Sequence, residues 1–200
     1  DSRYRLVLAR GLPVVHPSGD SYVTNEGPTL DSGLMLVDMK SGSARRIFRD
    51  DRGGAAGPQW SPSGEEIIFG FGSFLAMIGP RGPFTENDRQ ERGAQVALIA
   101  ADGSGFRLLT SGQNNNGFPS FAPDGKRFVY RSIGPEGDGL RIKDLRDGSV
   151  RALTEGYDNF PVWSPRGDRI VFVRKLHDDY EVFTIDPNGQ RLTRLTQLRG

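Results

Sequence analysis

Along the chain, short apolar runs alternate with clusters of turn-forming residues, and no run is long. Ile170-Val171-Phe172-Val173 is β-branched and aromatic, as a buried strand requires. It follows Ser164-Pro165-Arg166-Gly167, where Ser at i, Pro at i+1 and Gly at i+3 are the preferences of a type I turn. Ahead of the turn, Pro161-Val162-Trp163 reads as a short strand opened by a proline, whose missing N–H costs little there, and anchored by one large ring. The stretch predicts a hairpin with a very short first arm.

The same pattern occurs four times. Pro13-Val14-Val15-His16-Pro17-Ser18-Gly19, Pro58-Gln59-Trp60-Ser61-Pro62-Ser63-Gly64 and Pro119-Ser120-Phe121-Ala122-Pro123-Asp124-Gly125 fit the template P-x-(W/F/V)-x-P-x-G that Pro161 to Gly167 also fits. Successive second prolines are 45, 61 and 42 residues apart. A unit of roughly 40–45 residues is the size of one propeller blade, so the middle unit carries an insertion of about twenty residues. Each unit continues with a second apolar run, a turn (Ser41-Gly42, Asp102-Gly103, Asp147-Gly148, Asp186-Pro187-Asn188-Gly189) and a short closing strand such as Arg107-Leu108-Leu109-Thr110 or Arg151-Ala152-Leu153-Thr154. Four strands per unit on short connections predict antiparallel meanders, and no stretch shows a helical period of apolar positions. The expected fold is an all-β propeller of four-stranded antiparallel meander blades, a single domain over 1–200 with blades near 13–48, 58–110 (insertion 71–93), 119–154 and 161–196.

These residues carry a resemblance. P-x-W-S-P-x-G followed by I-x-F, and later by R-L-T, resembles the β-propeller repeat of TolB and of the tricorn and dipeptidyl-peptidase N-terminal propeller domains, also described as WD-repeat-like. The likeness covers about residues 13–196, and the first copy departs most, with Val15 and His16 where the others have Trp or Phe and Ser or Ala. It implies a non-catalytic scaffold that binds a protein or peptide partner through its top-face loops. An alternative it also implies is the substrate-gating propeller of a prolyl-oligopeptidase-type serine peptidase whose catalytic domain lies outside this chain. A third is a carbohydrate-active propeller of the oligogalacturonate-lyase kind, for which Arg174 and His177 are the available ligands.

Four blades stand at the low end of the four to eight that close a ring and remove exposed sheet edges. The expectation is a part of a six- to eight-bladed ring; closure alone, or by self-association of two half-rings, are the other arrangements. Arg3-Tyr4-Arg5-Leu6-Val7-Leu8-Ala9 alternates by two and reads as one more strand, in a closing blade or the first.

Composition narrows the partners. With 26 Lys plus Arg against 25 Asp plus Glu, the net charge of +1 gives no reason to expect nucleic acid. No apolar run approaches the roughly 18 residues of a membrane span. Without cysteine, thiolate and disulfide chemistry are absent, and that leaves periplasmic, extracellular and cytoplasmic sites open; the resemblance favours the first two. Neither a nucleophile elbow, an H-E-x-x-H motif nor a phosphate-binding glycine loop occurs, so no cofactor is expected and catalysis in this chain is disfavoured.

In a meander blade, the loop entering the first strand and the loop between the second and third share one face, and in this chain those are the variable loops. Binding on a rigid scaffold usually resides in such loops. Ser111-Gly112-Gln113-Asn114-Asn115-Asn116-Gly117 places Gln113, Asn115 and Asn116 at the expected channel mouth, and Glu155-Gly156-Tyr157-Asp158-Asn159 places Tyr157, Asp158 and Asn159 one blade on. Replacing Asn115, Asn116 and Asp158 by alanine is expected to lower partner affinity with melting unchanged. Phe74 and Met77, with Phe71, make the 71–93 insertion apolar enough to need something to pack on, a cap or a partner. His177, Asp178 and Asp179 are weak metal candidates, because adjacent residues of a hairpin turn point apart; no metal is expected.

Overall fold

The computed structural model describes residues 13–26, 33–72, 93–177 and 179–197. They form sixteen strands and, among the described residues, no helix. The strands make four antiparallel sheets, each a meander in chain order. The first holds β1 (Val14–Val15), β2 (Ser21–Asn25), β3 (Leu34–Asp38) and β4 (Ala44–Phe48). The second holds β5 (Gly54–Trp60), β6 (Glu66–Gly72), β7 (Gln95–Ala100) and β8 (Arg107–Leu108). The third holds β9 (Asn115–Phe121), β10 (Arg127–Ile133), β11 (Gly139–Asp144) and β12 (Val150–Ala152), and the fourth β13 (Asp158–Trp163), β14 (Ile170–Leu176), β15 (Asp179–Ile185) and β16 (Thr193–Arg194).

The repeated turn builds each first hairpin. Its fourth residue donates its N–H to the first: Gly19 to His16, Gly64 to Ser61, Gly125 to Ala122 and Gly167 to Ser164, at 2.8–2.9 Å. At Gly64 the backbone has φ +76° and a Cβ would fall 2.1 Å from Nε2 of His16, so only glycine fits.

The inner strands are longer than the sequence suggests. Segments read as entry loops, 115–117 and 158–159, are already strand, upstream of Pro119 and Pro161. The reason is a bulge. The pairing register shifts between Ala56 and Gln59 in β5, opposite Val129 and Arg131 in β9, and between Asn159 and Val162 in β13. Gly57, Phe118 and Phe160, each just before its proline, take φ of +59°, +50° and +51°. The bulge absorbs the proline's missing donor, and the ladder resumes beyond it.

Alternation then assigns the faces. Ile67 and Phe69 pack back onto the first sheet with Val23, Leu34 and Phe48. Phe128 and Tyr130 pack back onto the second sheet with Ile68, Val96 and Leu98, and Ile170 and Phe172 onto the third with Val129, Leu140 and Ile142. The sheets thus stack in chain order, first to fourth, and among the described residues no comparable packing joins the fourth to the first.

The closing R-L-T has a definite role in three sheets. Its leucine donates its N–H into the third strand: Leu109 to Val96, Leu153 to Leu140, Leu195 to Val182. Its threonine hydroxyl accepts the N–H of the same Val96, Leu140 and Val182, at 2.8–2.9 Å. The threonine therefore locks the outer strand to the blade.

Candidate functional site

The polar segments singled out from the sequence meet where the second, third and fourth sheets adjoin, and most of their side chains point inward. Asn115, Asn116, Asp158 and Asn159 are buried, whereas Gln113 is exposed and Tyr157 half-buried. Asn115 and Asn159 both accept hydrogen bonds from the Arg131 guanidinium, the first from Nη2 and the second, at 3.0 Å, from Nη1. Arg131, on β10, is about 1% exposed and lies 5.0 Å beneath the Phe118 ring. Burial pushes its guanidinium down to about 10. Asn116 donates to Gln95 Oε1 at 2.9 Å, which also accepts the Thr110 hydroxyl at 2.7 Å. Asp158 takes a two-pronged bond from Arg174, Nε to Oδ1 at 2.7 Å and Nη2 to Oδ2 at 2.8 Å, and accepts the Thr154 hydroxyl. This carboxylate raises the pKa of Arg174.

These side chains pin a continuous rim. Asn114, buried at the base of the 111–114 loop, donates to Ser132 Oγ at 2.9 Å and to the Gly137 carbonyl at 3.0 Å, and accepts the Glu136 N–H at 2.8 Å. Glu136 in turn accepts the Gln113 N–H at 3.0 Å. Gly156 donates to the Asp138 carbonyl, and Lys175 donates to that of Tyr157. Loops of three successive sheets are stitched together, with Gln113, Glu136, Asp138 and Glu155 exposed on the outside.

Beside the rim, between the second and third sheets, lies a cavity of about 240 Å3 lined by Thr110, Asn114, Asn116, Tyr130, Glu136 and Arg141 among others. Burial pushes the Tyr130 phenol up to about 12. A phenol raised above its ordinary value of about 10 contributes stability that is fully present below pH 10 and is lost as the pH rises toward 12. The thermal midpoint is therefore expected to fall between pH 9 and 11.5, and Tyr130→Phe to flatten that fall; an identical slope in the variant would count against it.

The remaining candidates separate. His177 sits exposed in the β14–β15 turn at φ +55°, and Asp179 follows it, also exposed. Among the described residues no three His, Asp or Glu side chains converge as a metal set. His16 packs edge-on against Trp60 at 4.7 Å and approaches the Gly64 carbonyl at 3.2 Å, a structural post in the first sheet. Phe71 is buried against Phe48 and Phe106. Phe74, Met77 and Asp178 lie outside the described residues. Sequence reasoning missed Arg131 and Glu136, and named Arg174 only as a carbohydrate ligand, not as the partner of Asp158. A cation inside the apolar run Phe128-Val129-Tyr130-Arg131 was the available signal for the first, since a buried arginine needs partners.

Comparison with known proteins agrees with this architecture. No family model matches the chain. A protein TolB homologue of Chlorobium luteolum is 28% identical over 131 residues, 65% of this chain and 28% of the homologue. Tol-Pal system protein TolB of Thioalkalivibrio sulfidiphilus is 38% identical over 74 residues, 36% of this chain and 17% of that protein. The chain thus spans less than a third of either relative. Among solved structures, TolB from Acinetobacter baumannii superposes with a TM-score of 0.72 at 20% identity, over 92% of this chain and 42% of that one. A prolyl endopeptidase gives 0.62 at 13% identity over 100% of this chain and 31% of its own, and an oligogalacturonate lyase 0.65 at 16% over 92% and 52%. No helix among the described residues is long and apolar enough to cross a membrane. Four meander sheets stacked in order, with these likenesses, make the chain a β-propeller of the TolB-like kind that peptidase propeller domains share.

Proposed function

We propose that this chain is a non-catalytic propeller scaffold that binds a protein or peptide partner through the rim formed by residues 111–114, 134–138 and 155–157. The observation that carries this reading is the stitching of that rim. Its exposed side chains stand on backbone fixed by buried Asn114, Asn116, Arg131 and Asp158, so a partner binds without first having to order the loops. Glu136, Asp138 and Glu155 make the rim acidic, which selects a basic partner segment. The likeness to TolB supports a protein partner, and on the same ground the chain acts in the periplasm or outside the cell. The buried amides and Asp158 hold the surface rather than form it.

A displayed-peptide library selected against the chain tests this. Selected peptides are expected to be rich in Lys and Arg and to bind more weakly as salt rises. Glu136→Lys combined with Glu155→Lys should weaken them tenfold or more, about 1.4 kcal/mol, and lower the thermal midpoint only by the loss of the exposed Gln113 N–H to Glu136 bond. Peptides indifferent to those changes but lost on altering Asp102 or Asp147, in the turns of the opposite face, would move the site there.

The second reading, a substrate-gating propeller of a serine peptidase, is favoured by the likeness to a prolyl endopeptidase along the whole chain. It requires a nucleophile elbow elsewhere in the same polypeptide, and its absence would end that reading. The carbohydrate reading loses its two ligands, because Arg174 is committed to Asp158 and His177 stands in a separate exposed turn.

A further inference from the structure

We propose that the cavity between the second and third sheets binds a small zwitterion of the amino-acid type, its carboxylate held by Arg141 and Lys143 and its ammonium by Glu136. The inference is independent of the rim reading, although Glu136 serves in both.

Pairing along the third sheet builds the cavity wall. Arg141 lies opposite Tyr130, and Lys143 opposite Phe128 and Val150. Phe128 and Tyr130 face the second sheet, so Arg141 and Lys143 turn the same way, while the alternate residues Leu140 and Ile142 join the cluster with the fourth sheet. Glu136 reaches the same space from the loop after β10, and Thr110 from the end of β8. Both cations and the carboxylate therefore line a cavity of about 240 Å3, room for about eight atoms the size of a water molecule.

Opposite charges share this space without meeting. Among the described residues neither Arg141 nor Lys143 forms an ion pair, with Glu136 or with any other carboxylate, and both side chains are half-buried. Arg141 is instead held by backbone carbonyls: Nη1 donates to those of Leu140 and Thr154, each at 3.1 Å, and Nη2 to that of Gly137 at 3.2 Å. Carbonyls orient the guanidinium without cancelling its charge and leave its Nε–H to donate to an incoming carboxylate. Tyr130 is 4% exposed, yet its hydroxyl has no hydrogen-bond partner among the described residues. A buried hydroxyl without a partner is costly, and a polar molecule in the cavity would supply one. The charges also reach this phenol, whose pKa is raised first by burial, with Arg141 opposing and Glu136 adding.

The charge arrangement selects the occupant. A lone anion would be drawn to Arg141 and Lys143 but repelled by Glu136, and a lone cation the reverse; a molecule that carries both charges satisfies all three. The volume limits it to one small molecule, and the amides and hydroxyls of Asn116, Thr110 and Tyr130 suit a short or polar side chain.

Ligand-observed NMR on the intact protein, with each common amino acid in turn at about 1 mM, tests this. At least one with a small or polar side chain is expected to bind, with a Kd by calorimetry below about 1 mM. Acetate and methylammonium, each carrying one of the two charges, should bind at least tenfold more weakly. Lys143→Gln and Glu136→Gln should each weaken the amino acid about tenfold, and Tyr130→Phe about fivefold, in variants whose circular dichroism is unchanged. Lys143 and Tyr130 take no part in the rim, so their variants should keep rim-bound peptides, which separates failure of this site from failure of that one. Absence of any amino acid binding below about 10 mM overturns the proposal, as does a bound one indifferent to both Lys143→Gln and Tyr130→Phe. Acetate bound as tightly as the amino acid overturns it as well, because the site is then selective for an anion alone.

Discussion

Trp163→Ala is expected to lower the free energy of unfolding by about 3–5 kcal/mol, the range for truncating a large core aromatic. The ring lies between the third and fourth sheets, 5% exposed, within a cluster that includes Val129, Leu140, Ile142, Ile170 and Phe172. Arg127 lies over it at 5.4 Å. Trp60, 8% exposed between the first and second sheets, should cost a similar amount. The two differ at the indole nitrogen. Trp60 Nε1 donates to the Val14 carbonyl at 3.0 Å, whereas Trp163 Nε1 is buried without a hydrogen-bond partner among the described residues. Trp163→Phe removes an unsatisfied donor and puts there the side chain that Phe121 already supplies in the third sheet, so it should cost less than about 1.5 kcal/mol. Trp60→Phe leaves the Val14 carbonyl without its partner and should cost about 1 kcal/mol more than Trp163→Phe. Urea midpoints at constant m-value measure both series. A loss below about 0.5 kcal/mol for Trp163→Ala would remove the ring from the core.

How far the sequence reaches is visible in these residues. The repeated x-P-x-G turn, the apolar residue before it (Val15, Trp60, Phe121, Trp163) and the apolar run after it act locally, through turn geometry and period-two alternation, and they are sufficient for four meander sheets and for which residues face the core. The start of each inner strand was not legible, because a proline normally argues against strand and the bulge that tolerates it is a property of the paired ladder. For the same reason Asn115, Asn116, Asp158 and Asn159 read as wet loop residues. Their burial depends on Arg131, Arg174 and, for Asn116, Gln95, which reach them from 15 or more positions away. The exposed members of the rim, Gln113 and Glu136, are joined by a hydrogen bond across two sheets that no local pattern announces.

Asp158→Ala is consequently expected to act on stability, against the expectation of unchanged melting that a surface loop would give. The carboxylate is fully buried and holds Arg174, whose side chain is 16% exposed and lies 5.2–5.4 Å over the Phe172 and Phe183 rings. Its removal leaves a cation against an apolar surface and frees the Thr154 hydroxyl, so a loss of about 3 kcal/mol is expected. In the comparable pair Glu181–Arg194 the arginine is 39% exposed to water, so neutralising the carboxylate strands no buried cation, and Glu181→Gln should cost less than Asp158→Ala. A double variant, Asp158→Leu with Arg174→Leu, removes both charges at once and should recover much of the loss, because the cost lies in the orphaned cation more than in the missing bond. The rim supplies the second readout. Asp158 fixes residues 154–158, so Asp158→Ala should weaken a rim-bound peptide at temperatures where the protein is still folded, while the double variant, which also lacks the pinning, should remain weak despite its restored midpoint. Affinity that recovers together with the midpoint would mean that Asp158 serves the fold alone and that the 155–157 loop takes no part in recognition.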